Sequence, residues 1–490
     1  MSATSVSIHA PDRLFLNGTW QPSSGNQKLS VISPVTEEEI LTFPDGTPAD
    51  MDKAVASARA AFDLGPWPRM SPQERGDMLL KVSAILTRRF PEIVSAWTTQ
   101  VGAPIALTQY ASKQVPGLFE FYGKMIQTYP LVEERKRDDG RIARIVREPA
   151  GVVAAITPWN APMILLCYKV AAGLAAGCTI VSKPAPETPM DAYLLAECIE
   201  EAGLPEGVFN VVPGLGETAG QALGRHMDVD CIAFTGSGEV GKYFLKYSGE
   251  SNMKQVWLEC GGKSPNIVLG DAPDLDVAAQ RTAFGIWFNQ GEVCTAGSRL
   301  IVEDKIKDEF LAKVMAIGQK MMPGDPLDPK TQMGAMVDET QTRRVMGYID
   351  AGQKEGAKLA MGGKQVHVDN AGSFIEPTVF DNVDNKMKIA QEEIFGPVLS
   401  VIPVKDAEQA LTVANDTIYG LASAIFTADI NKAFKFAKGL RTGSVWVNTY
   451  DGGDITTPFG GYKQSGNGRD KSLHAFDKFT QIKTTWIQLD

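Results

Sequence analysis

The sequence predicts an α/β protein in which a mostly parallel sheet carries helices on its faces. Two observations support this fold class. Apolar runs of strand length alternate with helix-like segments up to residue 260, and a second alternating block follows Gly261. The composition agrees, because 44% of the 490 residues are hydrophobic and 22% are charged. These values exclude a disordered chain, a collagen and a small disulfide scaffold.

The N-terminal region contains two helix signals. One begins at Asp50 and places apolar residues on one side of a helix, namely Met51, Val55, Ala58 and Phe62. The other is the capping box Ser71-Pro72-Gln73-Glu74, with proline at the first helical position. It predicts a helix running toward Phe90.

The β-α-β rhythm is clearest further along the chain. A helix is predicted from Thr188-Pro189 to Gly203, where glycine and the later Pro205 end it. A long helix is predicted over 304–320, followed by a proline-rich loop at 321–329. The strand-like segments are 151–156, 178–183, 208–212, 231–235, 266–270 and 298–303. The charged stretch 132–148 is either a solvated hairpin or an arm that reaches a second subunit.

Charge and cysteine usage limit the classes of partner and compartment. The net charge of −10 disfavours non-specific binding to nucleic acid or to an anionic membrane. No apolar run reaches the ~18 residues of a membrane span, and the first residues lack a secretory pattern. Six widely spaced cysteines indicate reduced thiols and a cytoplasmic location. Four scattered histidines show no metal-ligand spacing, so no metal site is expected.

The segment 234–243, FTGSGEVGKY, resembles two nucleotide-binding motifs. Gly236, Gly238 and Gly241 fit the GxGxxG pattern of a dinucleotide site. The same residues fit a phosphate-binding P-loop up to Lys242, but Tyr243 stands where Ser or Thr must coordinate magnesium. The motif therefore favours a dinucleotide over a nucleoside triphosphate, and a glycine-rich turn without a ligand stays open.

Three further elements carry reactive side chains. Glu259 follows a strand in VWLECGGKSP and is a ribose-binding acid, a helix cap or a base. Cys294 lies among small residues in FNQGEVCTAGSR, where a ligand can approach closely. Asn160 lies in ITPWNAP after a strand, where its amide can donate to a developing oxyanion. Each of these residues alone is more often structural.

Together these elements resemble the aldehyde dehydrogenase superfamily, in register over about 450 residues. The matching segments are LFLNGTW (14–20), VISPVTEE (31–38), TPWN (157–160), SKPAPETP (182–189), FTGSGEVG (234–241), LECGGKSP (258–265), GEVC (291–294), QEEIFGPV (391–398) and PFGGYKQSGNGR (458–469). The resemblance implies oxidation of an aldehyde to the carboxylic acid with NAD(P)+, through a cysteine thiohemiacetal and a thioester.

The resemblance also implies roles for individual residues. Cys294 matches the nucleophile, Glu259 the general base rather than a ribose ligand, and Asn160 the oxyanion-stabilising amide. The residues implied to bind the cofactor are Trp159, Lys183, Gly236, Ser237, Glu393 and Phe395. No histidine lies in these motifs, so a cysteine–histidine hydrolase lacks its base.

Three departures from the family pattern bear on function. Glu292 replaces a glutamine two residues before the nucleophile and would raise the pKa of the thiol if it pointed inward. Cys260 replaces a leucine, which we interpret as a packing change. Pro186 stands where NAD-preferring relatives carry a glutamate that would repel a 2′-phosphate, and Glu187 follows it. We therefore expect NAD to be used and NADP to be tolerated, with Glu187 among the cofactor residues.

Residues near the nucleophile and after TPWN are expected to line the substrate pocket. They are Ala161, Leu165, Tyr168, Trp287, Val293, Thr295 and Gly453. These residues favour a bulky apolar aldehyde, aromatic or medium-chain; Asp451 and Asp454 are the only candidate acids. Aromatic walls also suit a quaternary ammonium, so a betaine-aldehyde role stays open. Lys169 is either a proton relay or a packing lysine.

The resemblance implies three parts and an oligomer. A Rossmann-like cofactor domain is expected at 1–125 and 150–260, and an α/β catalytic domain at 261–460. A small β oligomerisation element is expected at 126–149 and 479–490, because the alternating end QIKTTWIQLD would expose a strand edge unless another chain paired with it. A homodimer or a tetramer is expected.

Three other roles are left open. They are a CoA-acylating enzyme, which typically lacks the base glutamate, a non-catalytic structural relative, and esterase side activity.

Overall fold

The computed structural model describes residues 6–488. Residues 1–5 of the predicted cofactor domain and residues 489–490 of the predicted oligomerisation element lie outside the described residues. The strands of this range are β1 (Leu14–Leu16), β2 (Thr19–Gln21), β3 (Lys28–Ile32), β4 (Glu39–Pro44), β5 (Val132–Lys136), β6 (Ile142–Pro149), β7 (Val152–Ile156), β8 (Thr179–Lys183), β9 (Phe209–Val211), β10 (Cys231–Thr235), β11 (Gln255–Glu259), β12 (Pro265–Val268), β13 (Arg299–Glu303), β14 (Lys358–Met361), β15 (Gln365–Val368), β16 (Ala371–Ile375), β17 (Thr378–Asp381), β18 (Val398–Val404), β19 (Ala422–Phe426), β20 (Ser444–Val447) and β21 (Thr480–Ile487).

The α-helices of the same range surround the two large sheets. They are α1 (Pro48–Asp63), α2 (Pro72–Arg88), α3 (Phe90–Val101), α4 (Ile105–Ala111), α5 (Gln114–Ile126), α6 (Pro162–Ala176), α7 (Met190–Ala202), α8 (Gln221–Arg225), α9 (Gly238–Gly249), α10 (Leu275–Trp287), α11 (Asp304–Gly318), α12 (Glu339–Lys354), α13 (Lys388–Gln391), α14 (Ala407–Asn415) and α15 (Ile430–Gly439).

Local sequence signals explain where several helices begin and end. The predicted capping box forms at Ser71, whose hydroxyl accepts the Glu74 N–H while the Glu74 carboxylate accepts the Ser71 N–H. Gly203 ends α7 in the left-handed conformation, as predicted. The first helix starts earlier than its apolar pattern indicates, because Thr47 caps it and Pro48 occupies its first turn.

The first large sheet brings three strand ends together. Its order is β11-β10-β7-β8-β9-β1-β2, and the strands from β7 to β11 run parallel. Thr235 pairs with Glu259, and Ile156 pairs with Phe234, so the carboxyl ends of β7, β10 and β11 share one edge. Ligands of open α/β sheets bind at this kind of edge.

The second large sheet supports the segment that contains Cys294. Its order is β14-β17-β18-β13-β12-β19-β20, with all neighbours parallel except β14 and β17. Cys294 lies between the end of α10 and the start of β13. A later segment returns to the first sheet, where the Cys260 N–H donates to the Ser465 carbonyl at 2.8 Å. The predicted α/β fold class is confirmed. Segments that follow strands of both large sheets meet at one site.

The charged stretch at 132–148 forms a hairpin, as one of the two interpretations predicts. Its strands β5 and β6 join β21 in a three-stranded sheet. β21 pairs with β6 of the same chain, from Thr480 opposite Pro149 to Ile487 opposite Ile142. One edge of β21 is therefore paired within the chain, and the expected pairing with another chain stays a prediction for the opposite edge. The other edge of β21 has no partner strand within residues 6–488.

The described residues contain neither a bilayer-spanning helix nor a cluster of metal-ligating side chains. No helix among residues 6–488 combines the length and the apolar character needed to cross a bilayer. No group of three or more histidine, cysteine or acidic side chains in this range is arranged to hold a metal ion.

Candidate active site

Cys294 lies on the boundary between two cavities. One cavity, of about 140 Å³, reaches the ends of β10 and β11, and we call it the cofactor-side cavity. The other, of about 280 Å³, is lined by aromatic and polar side chains, and we call it the substrate-side cavity. Asn160, Leu165 and Cys294 line both. A group bound in either cavity therefore reaches the same sulfur atom.

A strained turn presents Cys294. Asn289, Gln290 and Gly291 all have positive φ, at 47°, 56° and 74°. The Gln290 amide holds the turn in place: its nitrogen donates to the Ala335 carbonyl at 3.0 Å and its oxygen accepts the Gly334 N–H at 3.1 Å. Left-handed backbone at two non-glycine residues persists only where the surroundings enforce it, and it clusters at functional sites.

The side chain of Asn160 is fixed against the nucleophile segment. Its Nδ2 donates to the Glu292 carbonyl at 2.8 Å. Trp97 and Asn289 both donate to the Asn160 backbone carbonyl, at 3.1 and 3.2 Å. An amide nitrogen carries two hydrogens, so the second hydrogen of Asn160 is available at the cavity boundary.

Glu292 points away from Cys294. Its Oε1 accepts the Val337 N–H at 3.1 Å, and the side chain lines neither cavity. Burial raises the pKa of Glu292 well above its usual value. Burial also raises the pKa of Cys294, and the carboxylates of Glu393, Glu259 and Asp451 add to this shift. The inward orientation considered from the sequence is therefore not adopted.

Glu259 is a buried carboxyl group without hydrogen bonds. It is 4% exposed, and neither carboxylate oxygen has a partner among the described residues. Gly460 and Gly468 make room for it, since a Cβ on Gly460 would lie 2.7 Å from its Oε1. Burial raises the pKa of Glu259 well above its usual value, and Asp470 adds to this, while Lys478, Lys169 and Arg469 oppose it. A carboxyl group with a raised pKa is suited to act as a base near neutral pH.

The cofactor-side cavity has the features of a nucleotide cleft. Trp159 and Phe395 meet edge to face, with ring centroids 5.2 Å apart. Glu393 accepts the Gly262 N–H at 3.0 Å, and a Cβ on Gly261 would lie 1.9 Å from Oε2 of Glu393. Ser237 caps helix α9, so the N–H groups of a helix start face the cavity, as in phosphate sites. Trp159, Gly236, Ser237, Glu393 and Phe395 all line this cavity.

Two of the residues expected to bind the cofactor lie outside both cavities. Lys183 is buried, and its Nζ donates to the Pro184 carbonyl at 3.0 Å. Burial lowers the pKa of Lys183 to about 8, while Glu187, Asp45 and Glu217 oppose the shift. Lys183 and Glu187 are thus electrostatic neighbours at the end of β8.

Sequence reasoning missed Gln341 and Arg344, which also line the cofactor-side cavity. Gln341 Nε2 donates to the Phe395 carbonyl at 2.7 Å and thereby fixes the left-handed backbone of Phe395. Both residues lie near the start of α12, whose amphipathic pattern predicts only a helix with one buried face. No local signal distinguishes them from other polar residues of that helix.

The substrate-side cavity contains six of the seven residues expected there. They are Ala161, Leu165, Tyr168, Val293, Thr295 and Gly453. Trp287 is the exception and the prediction is wrong: its indole N–H donates to the Pro397 carbonyl at 3.3 Å, and it is fully buried in the core around the second large sheet. Helix α10 ends at Trp287, so the chain turns and the next residue, Phe288, lines the cavity instead.

The cavity wall is more aromatic and more charged than predicted. Additional aromatic residues are Trp97, Tyr110, Phe288, Trp446 and Phe459. Asp451 and Lys471 line the cavity too, whereas Asp454 is exposed and accepts the Thr456 N–H. Neither Asp451 nor Lys471 has an ion-pair partner within 4.0 Å among residues 6–488. The Lys471 ammonium lies 5.6 Å from the ring centre of Phe459.

A cysteine on the boundary of two cavities, one of them with the features of a nucleotide cleft, fits an oxidoreductase, and this class is shown by the comparisons that follow. The sequence model described as "Aldehyde dehydrogenase family" matches residues 20–485. The chain belongs to the aldehyde dehydrogenase family. The expectation of an NAD(P)-dependent enzyme of this family is confirmed.

Three relatives illustrate the similarity. The NADP/NAD-dependent aldehyde dehydrogenase PuuC of Escherichia coli strain K12 is 45% identical over 490 residues, 99% of this chain and 97% of PuuC. The indole-3-acetaldehyde dehydrogenase AldA of P. syringae, solved with NAD+ and IAA, has a TM-score of 0.97 and 48% identity, covering 99% of this chain and 98% of that one. The structure of gamma-glutamyl-gamma-aminobutyraldehyde dehydrogenase from Burkholderia cenocepacia J2315 has a TM-score of 0.96 and 46% identity, covering 100% and 98%.

Proposed function

We propose that this protein oxidises an aldehyde to the carboxylic acid with NAD(P)+, through a covalent intermediate on Cys294. One observation carries the proposal: Cys294 lines both cavities beside the fixed amide of Asn160. The buried, unpartnered Glu259 supplies a base at the ends of the same strands. Cysteine, amide and base are the groups that this chemistry needs.

The first half of the reaction builds the acyl enzyme. Sγ of Cys294 attacks the aldehyde carbon, and the thiol proton passes to Glu259, directly or through water. This transfer is required because burial and nearby carboxylates raise the pKa of the thiol. Asn160 Nδ2 and the Cys294 N–H stabilise the oxyanion, a contribution of about 3–4 kcal/mol per donor in other enzymes. NAD(P)+ held in the cofactor-side cavity would supply the hydride acceptor, so that loss of hydride from the adduct on Cys294 would leave a thioester.

The second half is hydrolysis of that thioester. Glu259, having returned the first proton to solvent, takes a proton from water while the water oxygen bonds to the acyl carbon. The C–S bond then breaks, its electrons return to Sγ, and the carboxylic acid leaves. The intact Glu259 favours water over coenzyme A as the acceptor.

The cofactor-side cavity fits the nicotinamide half of the cofactor. Glu393 presents a carboxylate beside Gly261, where only a glycine leaves room for it. Trp159 and Phe395 supply aromatic walls, and Ser237 lies at the helix start that would hold the pyrophosphate. Lys183 and Glu187 would face the adenosine ribose. Pro186 places no carboxylate at the position that excludes a 2′-phosphate, so we expect both NAD+ and NADP+ to be accepted.

The substrate class is a bulky aldehyde, aromatic or medium-chain. Tyr168, Trp97, Phe288 and Trp446 give the cavity broad apolar surfaces, and Ala161 and Gly453 leave space. Betaine aldehyde is an alternative, because aromatic faces and the Asp451 carboxylate both attract a quaternary ammonium.

A second candidate substrate is an aldehyde with a zwitterionic far end. Asp451 and Lys471 place unpaired charges of opposite sign on the cavity wall, where an α-amino carboxylate would satisfy both. The Burkholderia relative is named for a gamma-glutamyl aldehyde, which carries such a group. This candidate shares every catalytic step with the first.

The deciding experiment follows nicotinamide reduction by absorbance without coenzyme A. Benzaldehyde, betaine aldehyde and gamma-glutamyl-gamma-aminobutyraldehyde are compared with NAD+ and NADP+ side by side. We expect turnover with at least one aldehyde and none in Cys294→Ala. Turnover that requires coenzyme A would support the acylating alternative, and silence with every substrate would support a non-catalytic role.

We also propose that the protein is a cytoplasmic homo-oligomer, a dimer or a tetramer. The three-stranded sheet exposes apolar side chains of β21, with Ile482 63% and Trp486 58% exposed. The free edge of β21 lies beside them. Light scattering of the full chain tests this proposal, and a monomeric mass would contradict it.

A further inference from the structure

A buried charge cluster is formed by Lys169, Asp470 and Lys478. It adjoins Glu259, because Thr235, whose hydroxyl accepts from Lys169, is the residue of β10 that pairs with Glu259 of β11. Each of the three residues is at most 2% exposed. Lys169 Nζ lies 3.3 Å from Oδ2 of Asp470 and donates to the Thr235 hydroxyl at 2.6 Å. Lys478 binds the other oxygen, Oδ1 of Asp470. Burial alone would raise the pKa of Asp470, but the two lysines lower it to about 2, so the aspartate is ionised.

With both lysines protonated, the cluster carries more positive than negative charge; burial lowers the pKa of Lys169, while Asp470 and Glu259 oppose that shift. Two ammonium groups share one carboxylate, and an unbalanced buried charge is costly. Four charged groups face Glu259. Arg469, Asp470 and Lys478 come from the segment after Ser465, and Lys169 comes from α6. The Glu259 carboxylate in turn faces the thiols of Cys294 and Cys260. An ionised Glu259 would neutralise the surplus within the cluster.

The backbone around Lys478 is held rigidly. Its carbonyl accepts the Cys231 thiol at 3.4 Å, and the carbonyl of the next residue, Phe479, accepts the Ala150 N–H at 2.8 Å. Phe479 is fully buried against the core around α6. The side chain of Lys478 therefore extends from a fixed base, and its ammonium is positioned rather than mobile.

We propose that Lys478 is a positioning residue for the base Glu259: it holds Asp470 against Lys169 and supplies the positive charge that balances an ionised Glu259 inside the fold. The inference rests on the proposed function, in which Glu259 accepts protons from the thiol and from water. Lys478 touches neither cavity, so it acts through its neighbours rather than on the substrate.

The test compares Lys478→Met, Lys478→Gln and Lys478→Arg in the full-length protein. Lys435→Met is the matched control, because Lys435 is an exposed lysine of α15 that pairs with Glu408 outside the cluster. The readout is kcat against pH with saturating aldehyde and NAD+. In Lys478→Met we expect the acid limb to move up by about one pH unit, a loss of about tenfold at pH 6 that recovers toward pH 9. Lys478→Arg and Lys435→Met should keep the wild-type limb.

Lys478→Gln separates charge from hydrogen bonding, since it keeps a donor to Asp470 and loses the charge. It should shift like Lys478→Met, and it carries the comparison if the methionine variant does not fold. The inference would be overturned if folded Lys478→Met and Lys478→Gln kept the wild-type acid limb of kcat against pH. It would also be overturned if Lys478→Arg shifted that limb by the same amount. In those cases wild-type turnover leaves the proposed function standing. A wild-type protein without turnover on any aldehyde overturns both.

Discussion

The side-chain amide of Asn160 donates to the backbone carbonyl of Glu292 at 2.8 Å. This hydrogen bond joins the turn after β7 of the first sheet to the nucleophile segment of the second sheet. It sets the distance between the oxyanion donor and Cys294, two residues beyond Glu292. The relative placement of the two sheets therefore determines the geometry of the reacting groups.

Asn160→Ala should lower kcat by a factor of about 10²–10³, the loss seen when one oxyanion donor is removed. Asn289→Ala serves as the comparison, because it removes a contact to the Asn160 carbonyl but leaves the Asn160 side chain. Steady-state kinetics with the best aldehyde measures both variants. An equal loss in both would assign Asn160 to support of the turn rather than to the oxyanion.

The alkylation of Cys294 by iodoacetamide should depend steeply on pH. Because the pKa of this thiol is raised, the reactive thiolate fraction should grow about tenfold per pH unit between pH 7 and 9. Mass spectrometry identifies the modified residue, and Cys294→Ala shows the background from the five buried thiols. A rate that levels off below pH 8 would contradict the raised pKa.

Glu292→Gln should stabilise the protein increasingly as pH rises. Burial raises the pKa of Glu292 in the folded state above its value of about 4.3 in the unfolded chain. Ionisation of Glu292 therefore opposes folding at every pH above about 4.3. Glutamine still accepts the Val337 N–H but carries no charge. We expect a Tm higher by about 1–3 °C at pH 8 and no gain at pH 4.

Thermal unfolding from pH 4 to 8 measures this effect, with Glu38→Gln as an exposed control. The alkylation profile of Cys294 should be the same in Glu292→Gln as in the wild type. A shifted profile would mean that Glu292 acts on the nucleophile after all.

Lys471→Met should impair only aldehydes that carry a carboxylate. If the zwitterionic candidate is correct, KM for the gamma-glutamyl aldehyde should rise about tenfold or more, the worth of one charge-assisted hydrogen bond. KM for benzaldehyde should stay unchanged. Asp451→Asn should act on the ammonium end in the same selective way, and Asp454→Asn, outside the cavity, is the control. Equal effects on both aldehydes would favour the apolar class.

Pro186→Glu should convert dual cofactor use into NAD+ preference. A carboxylate at this position would repel a 2′-phosphate, so KM for NADP+ should rise at least about tenfold while KM for NAD+ stays or falls. Initial rates with each cofactor measure the ratio. An unchanged ratio would show that Glu187 or the surrounding backbone already sets the preference.

The amino-acid sequence is enough to predict the alternation of strands and helices, the family resemblance, and the importance of Cys294, Glu259 and Asn160. These features are local: a capping box such as Ser71–Glu74, or a strand end followed by glycines, carries its signal in adjacent residues. The hairpin at 132–148 is predictable for the same reason. Alternating apolar and polar residues indicate a strand whatever partner that strand pairs with.

The direction in which each side chain points depends on tertiary packing. Trp287 and Phe288 are adjacent and aromatic, and the end of α10 sends the first into the core and the second into the cavity. Glu292 lies two residues from the nucleophile, yet its carboxylate is turned away to the Val337 N–H. Lys169 and Lys478 are more than three hundred residues apart and meet on Asp470. Such contacts depend on how distant segments pack, and a periodic pattern holds no information about the partner.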